Sequence, residues 1–154
     1  MTTNHYKRGI TALEILIVLA VLAGMFAIVI PQFSKMKENQ VLKNAVGDIL
    51  SSLDKARSET LASVNSSSYG VHFQSDGVII FKGVDFSTRD TSKDEMINII
   101  LPANISNIAL GTGISDVYFA RLTGTPSHIG TIMVSTTSYS KTITISASGI
   151  ASVN

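Results

Sequence analysis

The sequence predicts an α+β fold, with one long N-terminal helix packed on an antiparallel β-sheet domain. The helix is expected to span a membrane with its first half and to be amphipathic in its second. Three observations lead there. From Ile10 to Ile30 the only polar residues are Thr11 and Glu14. Past Pro31, Leu42, Val46, Ile49, Leu53 and Ala56 recur at helical spacing. From Tyr69 onward the apolar period falls to two, the signature of strands.

The totals bound what such a chain can be. At 154 residues there is room for one domain and an extra element. Only 15% of the residues are charged, against about a quarter in ordinary soluble domains. A membrane segment explains that skew. The net charge of +1 implies no general pull on nucleic acid. Cysteine is absent, so structural disulfides, thiolate metal sites and cysteine nucleophiles are excluded.

The apolar stretch Ile10–Ile30 has 21 residues. As a helix rising about 1.5 Å per residue it matches a hydrocarbon core of about 30 Å. A secretory signal peptide is the plainest alternative, but its apolar core is about 7–15 residues long and ends at a small-residue cleavage site. Here the run is longer, and "IVIPQF" at its end is bulky. A simple single-pass anchor explains the length and gives no reason for Glu14. An acidic residue at the centre of a membrane helix costs about 2.5–3.5 kcal/mol, and less near an end. If the chain is cut after Gly9, Ile10 carries a free amine one helical turn from Glu14. The carboxylate then pairs with its own amine or with that of a neighbouring copy. Pairing lowers the cost of burying both charges, and a helix N-terminus itself favours an anion.

Past Pro31, where a kink is expected, Lys43, Asp48, Asp54, Lys55 and Arg57 lie mostly off the apolar stripe. The helix is expected to end near "SVNSSS", Ser63 to Ser68. "YGVHFQ" and "VIIFK" flank the turn signal "SDG", and "MINIIL", "SNIAL" and "VYFARL" are further short strands. "GTIMVS" and "KTITIS" flank the polar turn "TTSYS", and "ASGIASV" adds a glycine turn and a last strand. In "KTITIS", Ile143 and Ile145 share one face, with Thr142, Thr144 and Ser146 on the other. One antiparallel sheet with one buried face is expected, covered by the amphipathic half-helix.

The segment "KRGITALE" with its apolar run resembles the type III leader of type IV pilins and pseudopilins. In that family a short basic leader ends in a glycine, followed by an apolar first mature residue and a glutamate as the fifth. Gly9, Ile10 and Glu14 occupy those places, with Ile10 where phenylalanine is commoner. Pro31 closes the apolar stretch, as in many members. "KARSETLAS", "FARLTGTPSHIGTIMV" and "KTITISASGIASV" extend the likeness to the GspH/FimT group of minor pilins and pseudopilins. The likeness is weak across Val84 to Gly113, where "DFSTRDTSKDE" reads as a surface insertion.

The resemblance implies residues 1–9 as leader, 10–31 as membrane and filament-core helix, 32–63 as its amphipathic half, and 64–154 as the β-domain. It implies cleavage after Gly9 by a prepilin peptidase and methylation of the new N-terminus, Ile10. Glu14 serves assembly. The expected partners are other pilin or pseudopilin subunits, the peptidase, an inner-membrane assembly platform and membrane lipids. The chain is expected in the cytoplasmic membrane as a single pass, with its C-terminal domain outside the cytoplasm, and then in a filament. The positive-inside count is ambiguous, because Lys7 and Arg8 precede the helix and Lys35 and Lys37 follow it. The outward domain therefore rests on the resemblance.

No catalytic residues, metal or cofactor are expected. The histidines His5, His72 and His128 are scattered without ligand spacing, and His72 is expected on a strand surface. "SDG" lacks the repeated oxygens of a calcium loop, "GTG" at Gly111–Gly113 does not open a phosphate-binding helix, and "DTSKDE" reads as a solvated loop. Two other functions stay open: a membrane-anchored binding domain that never polymerises, and an adhesive or DNA-uptake pilin. Thr131 to Asn154 carries Lys141 as its one basic residue, so no nucleic acid is expected as partner.

Overall fold

A computed structural model of the protein describes residues 9–154. It has one long helix, α1 (Ala12–Leu61), and eight strands. These are β1 (Tyr69–Gln74), β2 (Gly77–Lys82), β3 (Glu95–Asn98), β4 (Asn104–Ala109), β5 (Asp116–Tyr118), β6 (Gly130–Ser135), β7 (Ser140–Ile145) and β8 (Ala151–Val153). The described residues form two compact units, the first ending at Met36 and the second running from Lys37 to Asn154. The architecture is α+β, with every strand pair antiparallel.

In the second unit the helix buries the stripe set by its sequence period. Leu42, Ala45, Val46, Ile49, Leu53 and Ala56 are each at most 5% exposed. They meet Val71, Phe73, Val78, Ile80, Val117, Ile105, Ile132, Val134, Ile143 and Ile145 from the strands in one core. The helix ends at Leu61, and the chain turns through left-handed Ser63, Asn65 and Ser66. Buried Thr60 joins this end to β1. Its hydroxyl donates to the Ala56 carbonyl at 2.8 Å and accepts from the Tyr69 amide at 2.8 Å.

The strands do not form the single expected sheet. They form two, in the orders β3-β2-β1-β5 and β4-β6-β7-β8. β4 pairs with β6 rather than with its chain neighbour β3. The core needs strand faces around the apolar stripe of the helix, and two four-stranded sheets provide them.

The middle stretch also differs from the expected surface insertion. Besides β3 and β4 it supplies a strap, residues 84–94, over the outer face of β1 and β2. Ile79 and Phe81 alternate with the core residues of β2, yet are 4% and 0% exposed. Gly70 stands opposite Phe81 in the β1–β2 register. A Cβ at Gly70 would lie 2.5 Å from the Phe81 ring, so only glycine leaves that ring its place. Phe86 of the strap meets Phe81 edge-on, with centroids 5.4 Å apart. The "DTSKDE" portion is a short 3-10 turn, Thr91–Lys93, exposed as expected for a solvated loop, but its Asp94 is partly buried.

Candidate functional site

The first unit carries the apolar part of the long helix. Every residue from Gly9 to Val29 is exposed. Within α1 an 18-residue window reaches a mean hydropathy of 2.9 with none of it buried. By length and composition this helix can cross a membrane. At roughly 25 cal/mol per Å² of apolar surface, leaving such a face in water is strongly unfavourable. The segment therefore calls for lipid or for other apolar helices around it.

The helix start is built by Thr11. Its side-chain oxygen accepts from the Glu14 amide at 3.2 Å, and its carbonyl accepts from the Ile15 amide at 3.3 Å. That makes Thr11 the N-cap of α1. The spacing Thr11-x-x-Glu14 is the forward half of a capping box. Among the described residues, the Glu14 carboxylate itself has no hydrogen-bond partner. Gly9 and Ile10 precede the helix, and nothing lies within 4 Å of a Cβ placed on Gly9. Ile10 and Glu14, one turn apart, line the same shallow hollow of about 280 Å³ with Ile15, Val18 and Leu19. The helix continues through Pro31 without interruption. The side chain of Pro31 lies outside the described residues, as do Lys7 and Arg8.

The β-domain holds one cluster that sequence reasoning missed. His72 of β1, expected at the strand surface, is half-buried under the strap. Its ring stacks on Phe86 with centroids 3.6 Å apart and planes 9° apart. The Arg89 guanidinium lies 3.4 Å from the same Phe86 centroid. Two groups that close must occupy opposite faces, so Phe86 is sandwiched between them. Arg89 is held in turn by Asp94 at 2.7 Å and by the Phe86 carbonyl at 2.6 Å. The buried His72 Nδ1 has no partner among the described residues. Burial pushes the His72 pKa down. Asp116, its cross-strand neighbour, opposes that shift, and Arg89 adds to it.

A serine and a histidine also come together, in the loop before β6. Ser127 Oγ lies 3.1 Å from His128 Nδ1. The same hydroxyl accepts from the Tyr118 amide at 3.1 Å, which ties the loop to β5. Among the described residues no acidic group is hydrogen-bonded to His128 as a third member, so the pair reads as a staple between loop and strand.

No family model, curated protein or solved structure matches the chain.

Proposed function

We propose that the protein is a non-enzymatic filament subunit, a minor pilin or pseudopilin of a type II secretion pseudopilus or a type IV pilus. The observation that carries this reading is the bare apolar stretch of the helix, up to Val29, whose one carboxylate, Glu14, lies in the first turn beside Ile10. Such a surface is stable in a bilayer or among like helices. A filament subunit uses both surroundings in turn. A plain anchor uses only the first, and gives Glu14 no task.

In this reading the precursor sits in the cytoplasmic membrane until a prepilin peptidase cuts after Gly9 and methylates Ile10. The assembly platform then moves the helix from lipid into a core of like helices. There the Glu14 carboxylate pairs with the Ile10 amine of its own or a neighbouring copy. The β-domain stands outside the cytoplasm and carries the contacts specific to this subunit.

The test is incorporation of Glu14→Ala into filaments of normal copies. Insertion should be intact or improved, since a polar group leaves the apolar segment. Cleavage should survive, because the carboxylate lies beyond the scissile bond. Incorporation should fail, because an amine buried without its counter-charge costs several kcal/mol. Glu14→Gln should be nearly as defective, since it keeps the shape and loses the charge. The alanine variant at wild-type copy number in purified filaments would remove Glu14 from assembly.

A further inference from the structure

We infer that Thr11 is a positioning residue for processing: its cap starts the helix just beyond the Gly9–Ile10 bond and keeps that bond in non-helical, accessible chain. The inference rests on the proposed processing and goes further, assigning a role to a residue that the leader pattern leaves open.

Two features of the helix start carry it. Thr11 accepts the Glu14 amide through its side chain and the Ile15 amide through its carbonyl, so the first helical residue is Ala12. Ile10 is 74% exposed, and it and Gly9 lie outside the helix. Peptide-bond hydrolysis adds water across the Gly9–Ile10 amide, leaving a carboxylate on Gly9 and an amine on Ile10. A peptidase must reach the Gly9 carbonyl carbon and seat the flanking residues, which a helical turn would fold inward.

Without the Thr11 cap the helix gains by starting earlier. Glycine is about as good an N-cap as threonine, so Gly9 becomes the next start. Alanine at position 11 favours helix more than any other residue. Thr11→Ala therefore draws Ile10 into the first turn and places the scissile bond at the helix boundary. Close to hydrocarbon an amide without a partner is more costly than in water, which strengthens the preference for a capped start. The cap engages the Glu14 amide and not its carboxylate, so processing and charge pairing draw on different atoms of one short segment.

The experiment follows processing of the full chain in membranes that contain the prepilin peptidase. A pulse-chase with mass detection compares wild type, Thr11→Ser and Thr11→Ala. Serine keeps the cap oxygen and should be cut at close to the wild-type rate. Alanine should be cut about fivefold more slowly, the ratio set between two helix starts by a cap of ordinary strength. Amide hydrogen exchange of the uncut chains in micelles supplies a second readout. The Leu13 amide, which would then donate to the Gly9 carbonyl, should become more protected in the alanine variant and not in the serine variant. Equal cutting of all three after Gly9 would overturn the inference and leave the proposed processing standing. A wild-type chain that is not cut after Gly9 would overturn both.

Discussion

The His72 imidazole lies flat on the Phe86 ring, 3.6 Å between centroids, with its Nδ1 buried and unpartnered among the described residues. Protonating this ring would put a second cation against Phe86, whose other face already holds Arg89. It would also bury an N–H without an acceptor. His72 is therefore held neutral, with a folded pKa below its usual 6.5.

The pH dependence follows from that sign. Below the ordinary histidine range the unfolded chain binds a proton that the folded chain resists, so folding loses stability as the pH falls. The stabilisation is fully present above about pH 6.5 and is lost as pH falls from there through the lowered folded pKa. Thermal melts of a fragment starting near Gln32 should show a lower Tm at pH 5.5 than at pH 7.5. His72→Phe, which keeps the stack and removes the proton site, should flatten that difference. An unchanged pH slope in His72→Phe would assign the effect to other groups.

Ile49 is 0% exposed at the centre of the helix stripe. Ile49→Ala should cost about 2–5 kcal/mol through the cavity it leaves. Ile49→Asp should unfold the same fragment, since an unpaired charge would enter the core. A melt of Ile49→Asp that overlays the parent would mean that the stripe is not buried in this chain.

Arg57 ties two loops to the helix. Its Nε donates to the Gly124 carbonyl at 3.3 Å and its Nη2 to the Ser148 carbonyl at 3.1 Å. Arg57→Ala should cost about 1–2 kcal/mol, since both are charge-assisted bonds at a partly exposed site. Lysine should not rescue it, because one ammonium does not reproduce the fork. Urea midpoints measure this, and an unchanged midpoint in Arg57→Ala would contradict it.

Gly149 lies under the same tie, with φ of 79°. A Cβ there would overlap the Gly124 carbonyl oxygen and crowd Arg57 Nε at 2.9 Å. Gly149→Ala should therefore destabilise the fragment by at least about 1 kcal/mol. A neutral substitution would mean that this loop moves without cost.

Much of this fold is legible along the chain. The helix stripe repeats without interruption, and the "SDG" turn sets the β1–β2 register that pairs Gln74 with Gly77. The split into two sheets was not legible, because alternation reports which side of a strand is buried and not which strand it joins. The β4–β6 pairing spans the chain that forms β5 and is a tertiary choice. The strap was hidden by its polar composition. A signal for it exists in "VIIFK": Val78 and Ile80 face the core, so Ile79 and Phe81 require a cover on the other side. At the helix start, the Thr11-x-x-Glu14 spacing is itself a capping pattern, and the role of Thr11 was readable from it. Glu14 was singled out for its charge alone, although its amide is what Thr11 holds.

The most direct test of the account is the intact mass of the full chain extracted from membranes that contain the prepilin peptidase. The expected product is a mature protein that begins at Ile10 and carries an added methyl group on its amine. A chain that keeps its N-terminal nine residues, or one cut beyond the apolar stretch, would contradict it and leave a plain anchored or secreted domain.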